Sequence, residues 1–300
     1  MNSMPPAASA VTMPKVSLWQ DLTEIVTELW QSRELLSQLA KRDIKIRYKQ
    51  AVMGFAWAVL MPVLIVMAGL IVRLALASVG GIQINPSGAG ALAVKGLCWS
   101  LFVGTIGFAT ASLTGNTNLI SKVYFPREVL PLSSLVAQCF DTSIAAIAVA
   151  IALPFLGLKV SPALAWVPVL VLLLVLFTAS VSLFLSCANL FFRDVKYLVQ
   201  VLLTFGVFFT PVLFDAELLG PRGAPLIMLN PLAPILEGMR LAIFQGHSLL
   251  QPLELVNAKG LSVVVWQPWY LGYALAWALG GLAGSALLFH RAEFAFAEYV

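Results

Sequence analysis

The stretch A-V-M-G-F-A-W-A-V-L-M-P-V-L-I-V-M-A-G-L-I-V, residues 51–72, contains no charged side chain. About 20 residues at a rise of 1.5 Å each cross a hydrocarbon core of ~30 Å, so this run has the length and polarity of a transmembrane helix. Similar apolar runs recur along the chain. The sequence therefore predicts an all-α integral membrane protein that works across or within a bilayer.

The composition agrees with that fold class. Hydrophobic residues make up 60% of the 300 residues and charged residues only 11%, whereas roughly 25% of residues in soluble domains are charged. Such a chain has room for about six spans with short connections and for no sizeable soluble domain. Cys98, Cys139 and Cys187 lie far apart in apolar runs, so we interpret them as packing residues rather than as a disulfide framework or a zinc site.

The first fifty residues are more polar than the rest. Residues 1–16 show no signal-peptide pattern and are predicted to be a disordered tail. Residues 17–50 are predicted to form cytoplasmic helices, the first of them an amphipathic interface helix. In that helix apolar side chains recur at helical spacing and acidic side chains occupy the opposite face. A second helix then leads into the membrane.

Residues 51–300 are predicted to form a transmembrane domain with six transmembrane helices. The predicted spans are, in order, residues 51–77, 96–116, 132–154, 163–185, 197–214 and 269–289. Between the fifth and sixth spans, at about residues 215–267, five prolines interrupt apolar stretches that are too short to cross. We expect this region to form a re-entrant helical hairpin whose irregular backbone is shielded by protein.

Basic residues are distributed unevenly between the two sides of this topology. The predicted inner segments hold twelve of them: Lys15, Arg33, Lys41, Arg42, Lys45, Arg47, Lys49, Lys122, Arg127, Arg193, Lys196 and Arg291. The predicted outer segments hold five: Lys95, Lys159, Arg222, Arg240 and Lys259. The positive-inside rule therefore predicts that both termini are cytoplasmic. No nucleic-acid-binding motif accompanies the basic cluster before the first span, so no nucleic acid partner is predicted.

Four ionisable residues are predicted at membrane depth: Arg73, Asp141, Glu237 and Arg240. A charge in a bilayer is costly, so each is a candidate functional residue. Glu237 and Arg240 are one helical turn apart and are predicted to pair, which also suits a purely structural role. For Asp141 three roles stay open, namely capping a helix, pairing with Arg73 or facing a cavity.

The sequence lacks the motifs of several catalytic and cofactor-binding sites. There is no G-x-x-x-x-G-K-[ST] phosphate loop, no G-x-S-x-G and no H-E-x-x-H. His247 and His290 are remote from each other and from any cysteine pair, so no metal site is predicted. We therefore predict that the chain is not an enzyme and binds no cofactor. A membrane-embedded glycosyl- or acyltransferase is the alternative from another class of function, although no cluster of Asp, Glu or His residues near a membrane face indicates an active site.

Five segments carry a more specific pattern. They are residues 42–62 (R-D-I-K-I-R-Y-K-Q-A-V-M-G-F-A-W-A-V-L-M-P), 122–131 (K-V-Y-F-P-R-E-V-L-P), 189–198 (N-L-F-F-R-D-V-K-Y-L), 229–240 (L-N-P-L-A-P-I-L-E-G-M-R) and 292–298 (A-E-F-A-F-A-E). In this order they resemble the membrane (permease) subunits of ABC-type polysaccharide exporters, which export O-antigen, capsule or teichoic acid. The resemblance extends over nearly the whole chain.

This resemblance implies six spans per subunit, a homodimer in the bacterial inner membrane, and two separate nucleotide-binding subunits that carry ATP and Mg²⁺. It implies that the loop formed by Tyr124, Phe125, Pro126, Arg127 and Glu128 couples the permease to the ATPase. It also implies a channel lined by the first and fifth spans of both copies. Aromatic residues of the spans are then candidates for sugar contact, with ordinary packing as the alternative: Phe55, Trp57, Trp99, Phe102, Phe205, Phe208 and Phe209.

The function that the resemblance implies is ATP-driven export of a polyprenyl-diphosphate-linked polysaccharide from the cytoplasm. Arg42, Lys45 and Arg47 are candidates for contact with the lipid diphosphate, because arginine suits phosphate and these residues precede the first span. The positive-inside rule explains the same residues without a ligand. Within transport, the alternative is an exporter of drugs or other lipids from the same broad superfamily.

Overall fold

The computed structural model describes residues 18–49, 54, 56–80, 86–123, 125–256, 262–293 and 296. The predicted tail at residues 1–16 lies outside the described residues, and so do Phe55 and Tyr124. At some helical positions, that of Arg73 among them, only the backbone is described.

Helices account for most of the described chain. They are α1 (Leu18–Gln31), α2 (Arg33–Tyr48), α3 (Ala56–Gly80), α4 (Pro86–Thr110), α5 (Thr117–Lys122), α6 (Val129–Ala152), α7 (Trp166–Phe191), α8 (Val195–Gly206), α9 (Gly220–Ile227), α10 (Leu232–Arg240) and α11 (Trp269–Ala292). Two strands, β1 (Leu253–Val256) and β2 (Ser262–Trp266), form an antiparallel pair between α10 and α11.

The lengths of these helices fit a membrane-spanning bundle. Among the described residues, four helical segments are long and apolar enough to cross a bilayer: Ser87–Thr110, Val129–Leu156, Pro162–Phe191 and Trp269–Ala292. Helix α3 has 25 residues, which at 1.5 Å per residue is also a membrane-crossing length. The structure therefore agrees with the prediction of a mostly helical membrane protein.

Helices α4 and α7 lie at the centre of the bundle. Helix α4 packs against α3, α6 and α7, and α7 packs along α11. A large cluster of buried apolar residues joins α4 and α7 to α10, β2 and α11. A second, smaller cluster contains Ile25, Leu39, Phe125, Leu190 and Phe289. It therefore joins α1 and α2 to the loop before α6 and to the ends of α7 and α11.

The second and fifth predicted spans differ most from the helices of the structure. The second begins at Pro86 rather than at residue 96, because proline suits the first turn of a helix and small apolar residues follow it. Lys95 therefore lies inside α4, and its assignment to an outer segment was wrong. The fifth span, predicted over residues 197–214, is not one continuous helix. Helix α8 has 12 residues and ends at Gly206. Turns follow up to Pro211, which lacks the N–H that a continuing helix needs.

The region between α8 and α11 contains short elements. Every residue of α10 is buried, and this helix packs against α4, α7 and α11. The strand pair β1–β2 was not predicted, although the β-branched run of β2 favours a strand. Val263, Val265 and Trp266 of β2 are buried, and Trp266 Nε1 donates a hydrogen bond of 2.8 Å to the Leu249 carbonyl oxygen.

Candidate functional site

The loop between α5 and α6 exposes an apolar side chain beside a buried one. Val123 is 51% exposed, whereas the ring of Phe125 is buried in the smaller apolar cluster. The backbone N–H of Val129 then donates to the Pro126 carbonyl oxygen at 3.2 Å as α6 begins. The buried ring holds the loop against the bundle, whereas the Val123 side chain stays exposed.

The C-terminal half of this loop faces the end of α11 rather than solvent. Arg127 Nη1 donates a hydrogen bond of 2.6 Å to the Glu293 carbonyl oxygen, and its Nε lies 3.5 Å from Glu293 Oε1. Glu128 is almost completely buried, and its Oε1 lies 3.5 Å from His290 Nδ1. Arg127 and Glu128 therefore join the loop before α6 to α11, a contact that their sequence positions did not reveal.

The carboxyl groups at this junction have shifted pKa values. Burial raises the pKa of Glu128, and the nearby His290 partly offsets this shift. Burial also raises the pKa of Glu293 to about 7, and the charge of Glu128 adds to this shift while Arg127 opposes it. The common cause is desolvation of the charged form.

Helix α1 is attached to the same end of the bundle. Arg291 Nη2 lies 2.8 Å from Asp21 Oδ2, and Ile25 is buried in the smaller apolar cluster. On another face of α1, Trp19, Val26 and Trp30 are exposed. Helix α1 therefore has one side against the bundle, which includes Asp21 and Ile25, and an exposed side on which apolar residues lie.

A cavity of about 630 Å³ lies between α2, α3, α4 and α6. At its edge Arg47 Nη1 donates hydrogen bonds to Asp141 Oδ2 at 2.6 Å and to Gln138 Oε1 at 2.8 Å. Tyr48 Oη donates to Asp141 Oδ1 at 2.7 Å, and the Arg47 guanidinium lies 3.9 Å from the centre of the Phe108 ring. Of the three roles left open for Asp141, the structure supports an ion pair that also faces a cavity, but with Arg47 as the partner.

The three candidate lipid-phosphate residues differ in their surroundings. Arg42 Nη2 pairs with Asp43 Oδ1 at 2.9 Å, and Arg47 is bound to Asp141 and Gln138 as described. Lys45 is exposed. All three precede α3, but only Lys45 is free of a contact to a carboxylate within the described part of the chain.

Five charged side chains meet in the interior where α4 and α10 are in contact. Lys95 Nζ lies 2.8 Å from Glu237 Oε2 and 2.9 Å from Asp215 Oδ1. Arg240 Nε donates to Glu237 Oε1 at 2.6 Å, and its Nη2 lies 3.2 Å from Glu217 Oε2. The predicted Glu237–Arg240 pair is therefore present as part of a larger cluster.

The aromatic channel candidates fall into two groups. Trp57, Phe205, Phe208 and Phe209 are exposed on the surface of the chain. Trp99 is buried and lines the cavity, and Phe102 stacks on Phe177 with ring centres 5.9 Å apart. The exposed group leaves an apolar surface along α8 and the turns after it.

Comparison with known proteins places this arrangement in a family. The sequence profile of the ABC-2 type transporter family matches residues 34–244. The chain belongs to the ABC-2 type transporter family. The matched part of this ABC-2 protein begins in α2 and ends just after α10, so it contains the cavity, the loop before α6 and the buried charge cluster.

Individual relatives extend the similarity beyond the family profile. The O-antigen export system permease protein RfbA of Myxococcus xanthus is 31% identical over 253 residues, which cover 81% of this chain and 93% of that protein. A protein of the same name from Klebsiella pneumoniae is 28% identical over 269 residues, covering 88% of this chain and 94% of that protein. A second Klebsiella pneumoniae protein of that name is 27% identical over 235 residues. The recognised resemblance to polysaccharide-exporter permeases is thus confirmed.

Sequence reasoning missed several members of these sites. Lys95, Asp215 and Glu217 were not expected in the buried cluster, and Glu293 was not expected beside Glu128. The one available signal was a lone lysine inside the apolar run A-L-A-V-K-G-L-C-W at residues 91–99. A single basic residue among small apolar neighbours indicates a buried charge with a partner, but it does not indicate which partner.

Proposed function

We propose that this chain is the permease subunit of an ATP-driven exporter that moves a polyprenyl-diphosphate-linked polysaccharide, similar to an O-antigen, from the cytoplasm across the bacterial inner membrane. The observation that carries this proposal is the similarity to O-antigen export permeases over 81% and 88% of the chain. A likeness over 88% of the chain necessarily includes the loop before α6 and the short helices α9 and α10. It therefore concerns the whole transport unit rather than one shared motif.

Energy for transport comes, in this proposal, from two separate nucleotide-binding subunits that bind ATP and Mg²⁺. The loop around Val123 and Phe125 is the docking element. Its support is mechanical, because Arg127 and Glu128 contact Glu293 and His290 at the end of α11. A movement of this loop would therefore be transmitted to α6 and α11, both of which are long and apolar enough to cross a membrane. Burial of apolar surface drives most protein–protein association, so the exposed Val123 on a loop held by these contacts favours docking of a partner.

The permease acts as a homodimer in this proposal. The exposed apolar face of α8 and its following turns, with Phe205, Phe208 and Phe209, would face the second copy or the channel between them. Trp57 of α3 is exposed as well. Aromatic faces stack on sugar rings without fixed hydrogen bonds, so such a lining lets a polymer slide. Helix α3 and the segment from α8 to residue 214 complete the six spans with the four long apolar segments.

The proposed topology has both termini in the cytoplasm and the region between α8 and α11 as a re-entrant hairpin near the outer face. Burial of all of α10 against α4, α7 and α11 supports the hairpin, because irregular backbone is tolerated at membrane depth only where protein covers it. The ion pair of Asp21 with Arg291 supports placing both termini on the same side of the membrane, since it holds α1 and the end of α11 at one end of the bundle.

The lipid diphosphate would meet the permease at the cytoplasmic start of α3. Lys45 is the residue best placed to contact phosphate, because Arg42 and Arg47 already pair with Asp43 and Asp141. These two arginines would contribute positive potential and position α2. The cavity bounded by Arg47, Trp57 and Trp99 is the candidate entry for the first part of the substrate.

The proposal is tested by deleting the gene in the host bacterium and measuring surface polysaccharide together with polyprenyl-linked polysaccharide in the cytoplasmic leaflet. We expect the surface polymer to disappear and the lipid-linked polymer to accumulate inside, with both restored by the wild-type gene. Unchanged surface polymer with a new sensitivity to drugs would contradict the proposal and favour the other transport class. Loss of the lipid-linked polymer itself would favour a membrane enzyme.

A further inference from the structure

Three potential metal ligands converge where α6 begins and α11 ends. Glu128, His290 and Glu293 each offer one donor atom, and these atoms lie within 4.8 Å of one another. Glu128 is only 2% exposed. Within the described part of the chain, neither of its carboxylate oxygens has a hydrogen-bond partner, and the same is true of His290 Nδ1. Buried polar atoms are almost always hydrogen-bonded, so this group lacks a partner that its surroundings should supply.

The electrostatics of the junction favour an added cation. Glu128 and Glu293 converge on His290, and of these two carboxylates only Glu293 has an ion pair with a guanidinium, that of Arg127, among the described residues. An ionised Glu128 carboxylate beside a neutral imidazole would be a buried charge without compensation, which is strongly unfavourable. A bound cation would compensate that charge.

The spacing of the ligands along the chain suits a shared ion. His290 and Glu293 are three residues apart at the end of α11, which puts them on one face of the helix. Glu128 reaches them from the residue before α6. Glu293 contacts Arg127 through Oε1 at 3.5 Å, and a carboxylate with two oxygens can bind an ion with the other one.

We propose that Glu128, His290 and Glu293 form a binding site for a divalent transition-metal ion, with Zn²⁺ as the best fit. Imidazole together with carboxylate ligands suits Zn²⁺ better than Mg²⁺ or Ca²⁺, which take oxygen ligands. Zn²⁺ bonds of about 2.1 Å place tetrahedral ligands roughly 3.4 Å apart, so small side-chain rotations bring the three atoms to bonding distance. A water molecule would complete four-coordination.

The proposal departs from the sequence-based prediction of no metal site. That prediction depended on the large separation of the two histidines and on the absence of a nearby cysteine pair. The site assigned here needs one histidine only, and its carboxylates come from the residue before α6 and the residue after α11. An ion at this place would fix the first turn of α6 to the last turn of α11, directly beside the proposed ATPase-docking loop.

The test uses the full-length protein purified in detergent and freed of metal with a chelator. Zn²⁺ binding is measured by competition with a chromophoric chelator, and the thermal unfolding midpoint is followed with and without Zn²⁺. We expect one Zn²⁺ per chain and a higher midpoint with the ion. We expect Glu128→Gln, His290→Asn and Glu293→Gln each to weaken binding by at least about tenfold, because even second-shell changes cost 10- to 100-fold. Each variant should also lose the Zn²⁺-dependent rise in the midpoint.

His247→Asn is the matched control, since the sequence contains two histidines and His247 lies in the turn after α10, where its Nε2 contacts the Gln251 carbonyl oxygen. This variant should bind Zn²⁺ as the wild type does. Glu128→Gln guards against a folding artefact, because removing a buried charge should leave the metal-free midpoint equal or higher. Absence of stoichiometric binding to the wild type, or equal binding by His290→Asn and His247→Asn, would overturn the proposal. Neither result depends on whether the chain exports polysaccharide.

Discussion

Lys95 Nζ lies 2.8 Å from Glu237 Oε2, and both side chains are completely shielded from solvent. The pair connects the middle of α4 to α10, the helix that is buried along its whole length. Asp215 and Arg240 complete the surroundings of this pair. The region between α8 and α11 is therefore attached to the central helix of the bundle by charge as well as by apolar packing.

Replacing Lys95 by methionine should destabilise the protein strongly. The change keeps the length of the side chain but removes its charge, so that Arg240 is the remaining basic partner of Asp215, Glu217 and Glu237 in the ion pairs described above. Removing one partner from a buried ion pair typically costs about 3–5 kcal/mol, and the remaining contacts of Glu237 with Arg240 put the expected loss near the lower end. Thermal unfolding in detergent measures the effect.

Lys159→Met is the control for this prediction, because Lys159 is an exposed lysine in the loop after α6. It should change stability by less than about 0.5 kcal/mol, as surface substitutions usually do. If Lys95→Met were as stable as Lys159→Met, the buried cluster would not have the role assigned to it.

Asp141→Asn should loosen the attachment of α2 to α6. Arg47 and Tyr48 both donate to the Asp141 carboxylate, and the amide offers one acceptor oxygen in place of two. Hydrogen bonds to charged groups are worth about 1.5–3 kcal/mol, so we expect a loss of about 2 kcal/mol. Asp194→Asn, at an exposed aspartate before α8, should have little effect on the same unfolding measurement. Equal stability of the two variants would argue against the Arg47–Asp141 pair.

Gly104 and Gly107 provide a matched pair on α4. A Cβ atom at Gly104 would clash with the Gln138 side chain, whereas one at Gly107 would meet nothing within 4 Å. Gly104→Ala should displace the Gln138 amide and break its hydrogen bond to Arg47. Gly107→Ala should gain helix propensity without a clash. We expect Gly104→Ala to be less stable than Gly107→Ala by about 1–2 kcal/mol, and an opposite order would contradict the described contact of α4 with α6.

Lys45→Gln should reduce polysaccharide export while leaving the unfolding midpoint unchanged. Lys45 is exposed and has no carboxylate contact in the described structure, so its charge is available to a lipid diphosphate. Arg47→Gln, in contrast, should lower both export and stability, because Arg47 binds Asp141 and Gln138. Surface polymer per molecule of permease in the membrane separates the two effects. Full export by Lys45→Gln would remove this residue from the proposed substrate site.

Local features of the fold could be predicted from sequence, and long-range ones could not. The long apolar helices follow from run length, and the Glu237–Arg240 pair follows from a separation of one helical turn. The end of α8 at Gly206 was harder to predict, because the apolar run continues beyond it to Phe214, although Pro211 cannot continue the helix. Composition alone does not show where a helix inside an apolar run ends.

The polar contacts that position the candidate sites join distant parts of the chain. Lys95 and Asp215 are 120 residues apart, and Arg47 and Asp141 are 94 residues apart. No local pattern encodes such pairs, so Arg73 was a reasonable candidate partner for Asp141 and Lys95 was assigned to a loop. Their partners become visible only once the packing of α4 against α6 and α10 is known.

The central claim is that this chain supplies the membrane path while a separate ATPase, docked on the loop before α6, supplies the energy. The most direct test purifies the chain together with the co-expressed nucleotide-binding subunit of the same bacterium and measures ATP turnover in proteoliposomes. Val123→Asp is compared with Val160→Asp, the same change at an exposed valine beyond the other end of α6. The account predicts that the wild type and Val160→Asp retain the ATPase and its turnover, whereas Val123→Asp loses both. Equal behaviour of the two variants, or substrate turnover by the isolated chain, would contradict it.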